Sequence, residues 1–298
     1  MSAATAPSNT ASSLVKDLVE AGIHFGQRAA NWNPRMQPYI YGKRSSIHII
    51  DIKETIKGIL LARKFIAKIV ADGQDVCFVG TKRQAHDVLA QRVAGVGMPF
   101  VTERWLGGTL TNFRTIRARL KRLEELEAIE RNDNFQSYSK KMESQLKREM
   151  NKIKRNLEGI RNMSRLPGCL MCIDTKKERN ALLEARKLGI PTICLIDTDG
   201  DPDLADIAIP GNDDSMRSID VVIRELCAAV SEGKQQRSAK SGDRENMTGG
   251  PEGDAGQGGG GPRGGGGDGG RRRSGRTQFK AEGAPEPTSG EVGAASGA

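Results

Sequence analysis

Histidine and aromatic residues are scarce in this chain. There are three histidines in 298 residues, and aromatics make up 4%. His24, His48 and His86 do not stand at metal-ligand spacing, and a packed or hydrogen-bonded histidine is the simpler reading of each. No GxSxG or HExxH motif occurs, so no nucleophile or catalytic metal set is assembled. GxxxxGK[ST] is absent, and no strand–GxGxxG–helix unit appears; the GVG at 95–97 precedes a proline and a strand. No apolar run approaches the ~18 residues of a membrane span. The N-terminal segment lacks an apolar signal core and the arginines of a transit peptide, which leads us to expect a cytoplasmic protein. These absences argue against an enzyme, a cofactor or a small-molecule substrate.

Cysteine is present but does not form a motif. Cys77, Cys169, Cys172, Cys194 and Cys227 are spread through apolar runs. Cys169 and Cys172 have CxxC spacing, yet GCLMCID reads as a buried strand. Positions i and i+3 of a strand point to opposite faces, a poor geometry for sharing a metal. We expect no metal site and reduced thiols acting as small hydrophobes. DTDGDPD (197–203) resembles a cation loop, but it lacks the EF-hand order and follows a strand end, so a capped turn fits better.

Glycine is plentiful but unevenly placed. Of 36 glycines, 21 fall in residues 233–298. That stretch is nearly free of aliphatic side chains and cannot bury enough apolar area to offset its ordering entropy. The sequence therefore predicts a flexible N-terminus over 1–13, a folded domain over 14–232 and a disordered Gly/Arg-rich tail over 233–298.

Within the folded part, strand and helix signals alternate. A short amphipathic helix is expected from Ser13 to Gly22, then an irregular stretch, then a strand at IHIID (47–51). Helical spacing covers 54–71, and DVCFVG (75–80) is a continuous apolar run. Further strands fall at 99–102, 168–174, 191–197 and 207–210, with helices at 82–94, 178–188 and 215–231. This is the pattern of an α/β fold, a parallel sheet flanked by helices in the Rossmann or flavodoxin manner. One segment breaks it. Residues 112–162 carry no strand signal, and their apolar residues recur at steps of three and four along two limbs. That predicts an inserted, protruding antiparallel helical hairpin, a coiled coil.

The net charge is +9, which suggests a polyanionic partner. Residues 114–161 hold 14 Lys/Arg against 8 Asp/Glu, so most of the excess sits there. A solvated helical face would explain the charge equally well. FVGTKRQ (78–84) puts Thr81, Lys82 and Arg83 at a helix start, where free N–H groups favour anions; an ordinary capped βα turn is the alternative. In WNPRMQPYIYGKR (32–44), Arg35, Lys43 and Arg44 interleave with Trp32, Tyr39 and Tyr41. Guanidinium groups pair with phosphates and aromatics stack on splayed bases, although loop aromatics also pack on cores.

RWLGGTLTNF (104–113) is the last unusual stretch. No nucleotide motif surrounds it, so we read Gly107 and Gly108 as a tight backbone passage into the hairpin. Thr111 or Asn112 would cap the first limb, and Trp105 and Leu106 would anchor the junction. Arg104 and Arg114 bracket the turn.

Taken in order, GIHFGQRAANWNPRMQPYIYGKRSSIHIID, FVGTKRQA, RWLGGTLTNFRTI, LPGCLMCID, ARKLGIPTICLIDTDGDPDLADIAIPGNDD and SIDVVIREL resemble the bacterial small-subunit ribosomal protein S-two family over about residues 14–232. The resemblance implies a parallel α/β sheet with a helical hairpin and no enzymatic activity. It implies binding to small-subunit ribosomal RNA, with neighbouring small-subunit proteins, and help in docking the large ribosomal protein S-one. The residues expected to meet RNA are Arg28, Trp32, Arg35, Lys43, Arg44, Lys82, Arg83, Arg104, Arg114, Arg117 and Lys121. Gly107, Gly108 and Asn112 are expected to form the structural turn. Two departures stand out. Gln27 replaces a histidine common after HFG, which puts in question any metal near His24. The glycine-rich tail with RRRSGR (271–276) is an addition. An enzyme at the sheet's C-terminal edge and a regulatory RNA binder outside the ribosome are the competing readings.

Overall fold

The computed structural model describes residues 8–133, 135 and 138–248. Residues 1–7 of the flexible N-terminus expected over 1–13, and the expected tail from 249 onward, RRRSGR included, lie outside the described residues.

The fold opens with α1 (Ser8–Glu20), which starts before the expected Ser13 and ends in a turn at Gly22, where φ is +75°. Leu14 and Leu18 bury its inner face. A small antiparallel sheet follows, made of β1 (Phe25–Arg28), β2 (Ile40–Arg44) and β3 (Ile47–Ile50) in the order β1-β3-β2. Only β3 was legible in the sequence. The register slips in both pairings, between Phe25 and Arg28 and between Ile40 and Gly42. Bulged strands of four or five residues show no clean alternation of apolar and polar side chains. The strand at 47–51 therefore does not join the main sheet.

Asp51 then caps α2 (Ile52–Ala71), accepting from the Lys53 N–H. The main sheet begins with β4 (Val76–Val79), followed by α3 (Arg83–Gly95) and β5 (Phe100–Val101). Next come α4 (Phe113–Asp133) and α5 (Lys140–Leu157), then β6 (Cys169–Ile173), α6 (Arg179–Leu188), β7 (Thr192–Ile196), β8 (Ile207–Pro210) and α7 (Met216–Thr248). The five strands run parallel in the order β5-β4-β6-β7-β8. β6 and β7 are buried at every position, as the apolar runs predicted for a sheet covered on both faces.

Alternation along these strands sorts side chains into two layers. Phe78, Met171, Ile193 and Leu195 face a layer shared with Leu18, Ile59, Leu89 and Val222, which come from α1, α2, α3 and α7. Cys77, Val79, Leu170, Cys172 and Ile196 face the other layer, with Leu182 and Ala185 of α6 and Leu120, Leu123, Ile153 and Leu157 of α4 and α5. Cys169 belongs to the first layer and Cys172 to the second, so the CxxC pair is split across the sheet.

Helices α4 and α5 pack against each other, Arg119 and Arg122 of α4 both reaching Glu149 of α5. Lys147 of α5 lies over the Phe135 ring, Arg117 of α4 donates to the Ser164 carbonyl, and Arg161 pairs with Glu127 of α4 at 2.8 Å. Just after α5 the chain meets the sheet at Gly159, where a Cβ would fall 2.1 Å from the Phe100 carbonyl oxygen of β5. The last helix outruns its expected end near 231. Gly233 brings α7 against α2 so closely that a Cβ would meet the Ala67 carbonyl at 2.7 Å, and Lys234 donates to the Val96 carbonyl. The tail expected from 233 thus begins as part of α7, packed at Gly233 and Lys234.

Candidate nucleic-acid interface

The RWLGGTLTNF loop does cradle an anion, and the anion is the protein's own. The Glu184 carboxylate accepts from Trp105 Nε1 (3.1 Å) and the Gly108 N–H (2.8 Å) on Oε1. Its Oε2 accepts from the Leu110 N–H (3.0 Å), the Thr111 N–H (3.1 Å) and Thr111 Oγ1 (3.2 Å). Burial alone would raise the Glu184 pKa, but the N–H donors of Gly108, Thr111, Trp105 and Leu110 hold it below its ordinary value. This stabilisation is therefore present above the unfolded carboxyl pKa and lost as pH falls through the depressed folded one. Gly108 adopts φ +91°, a conformation that suits glycine. Gly107 does not share that role: its φ is not positive and a Cβ there would meet nothing within 4 Å. Asn112 stands just before α4, but its side chain accepts from the Thr115 hydroxyl (2.8 Å). The sequence reading missed Glu184. Its one signal was position: it lies on the same buried face of α6 as Ala181 and Ala185.

The start of α3 is filled in the same way. The buried Glu178 carboxylate accepts from the Thr81 N–H (2.8 Å) and Thr81 Oγ1 (2.5 Å). Lys82 turns inward. Its ammonium lies 2.7 Å from Asp213, 2.9 Å from Asp214 and 3.2 Å from Asp174, with the side chain 15% exposed. Burial opposes its charge, and the facing carboxylates outweigh burial and raise its pKa. Desolvation pushes Asp213 up to about 8 despite Lys82, and pushes Asp197 up to about 6. Asp197, Asp213 and Asp214 bring carboxylate oxygens within 4.8 Å of one another. Positive and donor groups already meet them, because the Gln27 amide donates to Asp214 (2.5 Å) and Asp197 (3.4 Å). Lys82 was expected at a phosphate and is instead the internal counter-charge of this cluster. Arg83, one residue on, is exposed.

Residues 21–50 contain no Asp or Glu. Of the four cations there, Arg35 is taken by distant carboxylates, at 2.8 Å from Asp201 and 3.1 Å from Asp203. Those partners raise its pKa, first through the Asp201 hydrogen bond. Arg28, Lys43 and Arg44 are exposed and make no ion pair among the described residues. The aromatics divide similarly. Trp32 packs at 5.2 Å from the buried His48 ring, and Tyr39 packs on the second core layer. Tyr41 is 81% exposed. It occupies the bulge between Ile40 and Gly42 on the edge strand β2, a device that re-aims a side chain. Cross-strand pairing puts Phe25 opposite Ile49, and both Arg28 and Arg44 opposite Ile47. Paired residues share a face, so an exposed Phe25 and Ile47 lie among arginines on one side of the small sheet.

The remaining expected cations line the root of the helical pair. Arg104 is exposed in the loop, and Arg114, Arg117 and Lys121 are exposed along α4. Of the expected residues, Arg28, Lys43 and Arg44 thus lie exposed on the small sheet and Arg114, Arg117 and Lys121 exposed along α4.

Comparison with known proteins gives a consistent picture. A family model described as Ribosomal protein S2 matches residues 18–233. Small ribosomal subunit protein uS2 of Rhodopirellula baltica is 54% identical over 231 residues, covering 78% of this chain and 89% of that protein. Its counterpart from Mycolicibacterium gilvum is 42% identical over 281 residues, covering 94% of this chain and 96% of that protein.

Proposed function

Because the chain belongs to the ribosomal protein S2 family, and is on that ground a structural component of the small ribosomal subunit rather than an enzyme, we propose that it binds small-subunit ribosomal RNA directly and helps dock the ribosomal protein S-one, working in the cytoplasm. The observation that carries RNA binding is the acid-free segment 21–50, whose Arg28, Lys43 and Arg44 stand exposed without a carboxylate partner among the described residues. Cations that serve the fold find partners inside it, as Lys82 and Arg35 do. Cations left uncompensated on one surface suit a polyanion. Arg83, Arg104, Arg114, Arg117 and Lys121, exposed elsewhere on the fold, are further RNA-contact candidates. Shape and charge do most of the recognition, since A-form RNA hides its major-groove edges.

The test is equilibrium binding of the full chain to small-subunit ribosomal RNA across a salt series. Affinity is expected to fall steeply and log-linearly with salt. A flat dependence would count against direct phosphate contact.

The docking role draws on a different observation. Phe25 (48% exposed) and Ile47 are exposed on one face of the small sheet among arginines, and Tyr41 is exposed in the bulge of its edge strand, a composition that suits a protein neighbour. Subunits reconstituted with the Phe25→Ala, Tyr41→Ala double variant are expected to retain this chain and lose S-one. Undiminished S-one would remove this face from the proposal.

A further inference from the structure

Four surface clefts of the folded part differ in charge. Those lined by α2 and α7, by α1 and α7, and by α4 and α5 each contain at least one carboxylate: Asp72 and Glu232, Asp17 and Asp220, and Glu149. The fourth, of about 560 Å³, is lined by Phe113, Arg114, Arg117, Ala118, Lys121, Ser164 and Arg165, and contains none. We infer that this cleft is a binding site for the phosphodiester backbone of RNA, with Arg165 completing a row begun by Arg114, Arg117 and Lys121. The inference rests on the RNA-binding reading above and gives that reading a specific site.

Three features carry it. First, Arg114, Arg117 and Lys121 are spaced i, i+3, i+7, so they share one face of α4. The row spans about 10 Å. A duplex strand carries about one charge per 3.4 Å of axis, so the row faces roughly three phosphates. Second, the fold holds two of these cations in place without neutralising them. Arg117 donates to the Ser164 carbonyl (3.0 Å) and Arg165 to the Gly73 carbonyl. Neutral acceptors fix the guanidinium groups and leave their charge available, and a guanidinium fork has further N–H donors for phosphate oxygens. None of the four forms an ion pair among the described residues, whereas Arg119 and Arg122, on the neighbouring face of α4, both reach Glu149. Third, the site is concave, and a cleft lined by one sign of charge concentrates its field. Phe113, half-buried on the second core layer, supplies an apolar part of the lining.

The experiment measures binding of full-length variants to small-subunit ribosomal RNA over a salt series. Arg114→Gln with Lys121→Gln removes two cations that make no contact to the backbone. It is expected to lower the slope of log affinity against log salt by about 2, and adding Arg117→Gln and Arg165→Gln by about 4 in all. Lys64→Gln with Lys68→Gln removes two exposed cations of α2 and is expected to leave the slope unchanged. If the quadruple variant unfolds, the double variant decides. An unchanged slope in the double variant, or an equal loss in the α2 control, overturns the site. So does normal RNA binding combined with failed entry into subunits, which would assign the cleft to a protein neighbour. Absence of any salt-dependent binding by the unaltered chain would instead overturn the parent reading.

Discussion

Lys82 and Glu184 show that a charged residue is defined by what faces it. FVGTKRQ has every local attribute of a phosphate-binding helix start, and RWLGGTLTNF those of an anion cradle. In both places a carboxylate from a distant part of the chain has taken the position, Glu178 in one and Glu184 in the other. Lys82 meets Asp174, Asp213 and Asp214 from more than 90 residues away. No local reading of the sequence could pair them, since only the parallel sheet brings its strand ends together. Arg28, Lys43 and Arg44 present the opposite case: no acid lies near them in sequence, and none pairs with them among the described residues. The Lys82 assignment carries a consequence. Lys82→Ala leaves a buried group of carboxylates without its counter-charge and is expected to cost on the order of 3 kcal/mol in urea unfolding. Asp213, already raised to about 8 from its ordinary 3.8, favours its neutral form in the fold. Its contribution is therefore present at low pH and lost as pH rises through about 8. The variant's deficit should widen from about pH 6 to about pH 9. A surface lysine serving only RNA would show neither effect.

At the level of elements, periodicity was the reliable guide. The buried runs of β4, β6 and β7 and the two limbs at 112–162 were visible because their patterns extend over many residues. The small antiparallel sheet was not, because its strands are short, bulged and partly polar. The continuation of α7 past 231 was hidden too, since the close approach of Gly233 to Ala67 and Val70 of α2 is not visible in composition. The loop entering α4 separates two glycines that looked alike in sequence. Gly108→Val forces φ +91° on a β-branched residue and loosens the Glu184 cradle, for an expected loss of about 1–3 kcal/mol. Gly107→Val enters open space and should stay within about 0.5 kcal/mol of the parent. Equal thermal stability of the two variants would mean that the backbone turn does not set the entry of α4.

Across the whole molecule, charge rather than chemistry separates function from scaffold. The interior acids are matched by Lys82, Thr81 and the α4-entry loop, and the thiols are buried hydrophobes. Among the described residues, the expected cations without a carboxylate partner include Arg28, Lys43 and Arg44 on the small sheet and Arg114, Arg117 and Lys121 on α4. That distribution fits a component held in a ribonucleoprotein by many phosphate contacts, each weak alone and jointly sensitive to salt. The most direct test is sedimentation of the full-length chain in cell lysate on a density gradient at low and high salt. The account predicts that the chain travels with small ribosomal subunits at low salt and moves to the top of the gradient as salt rises. A chain that stays at the top even at low salt would contradict it.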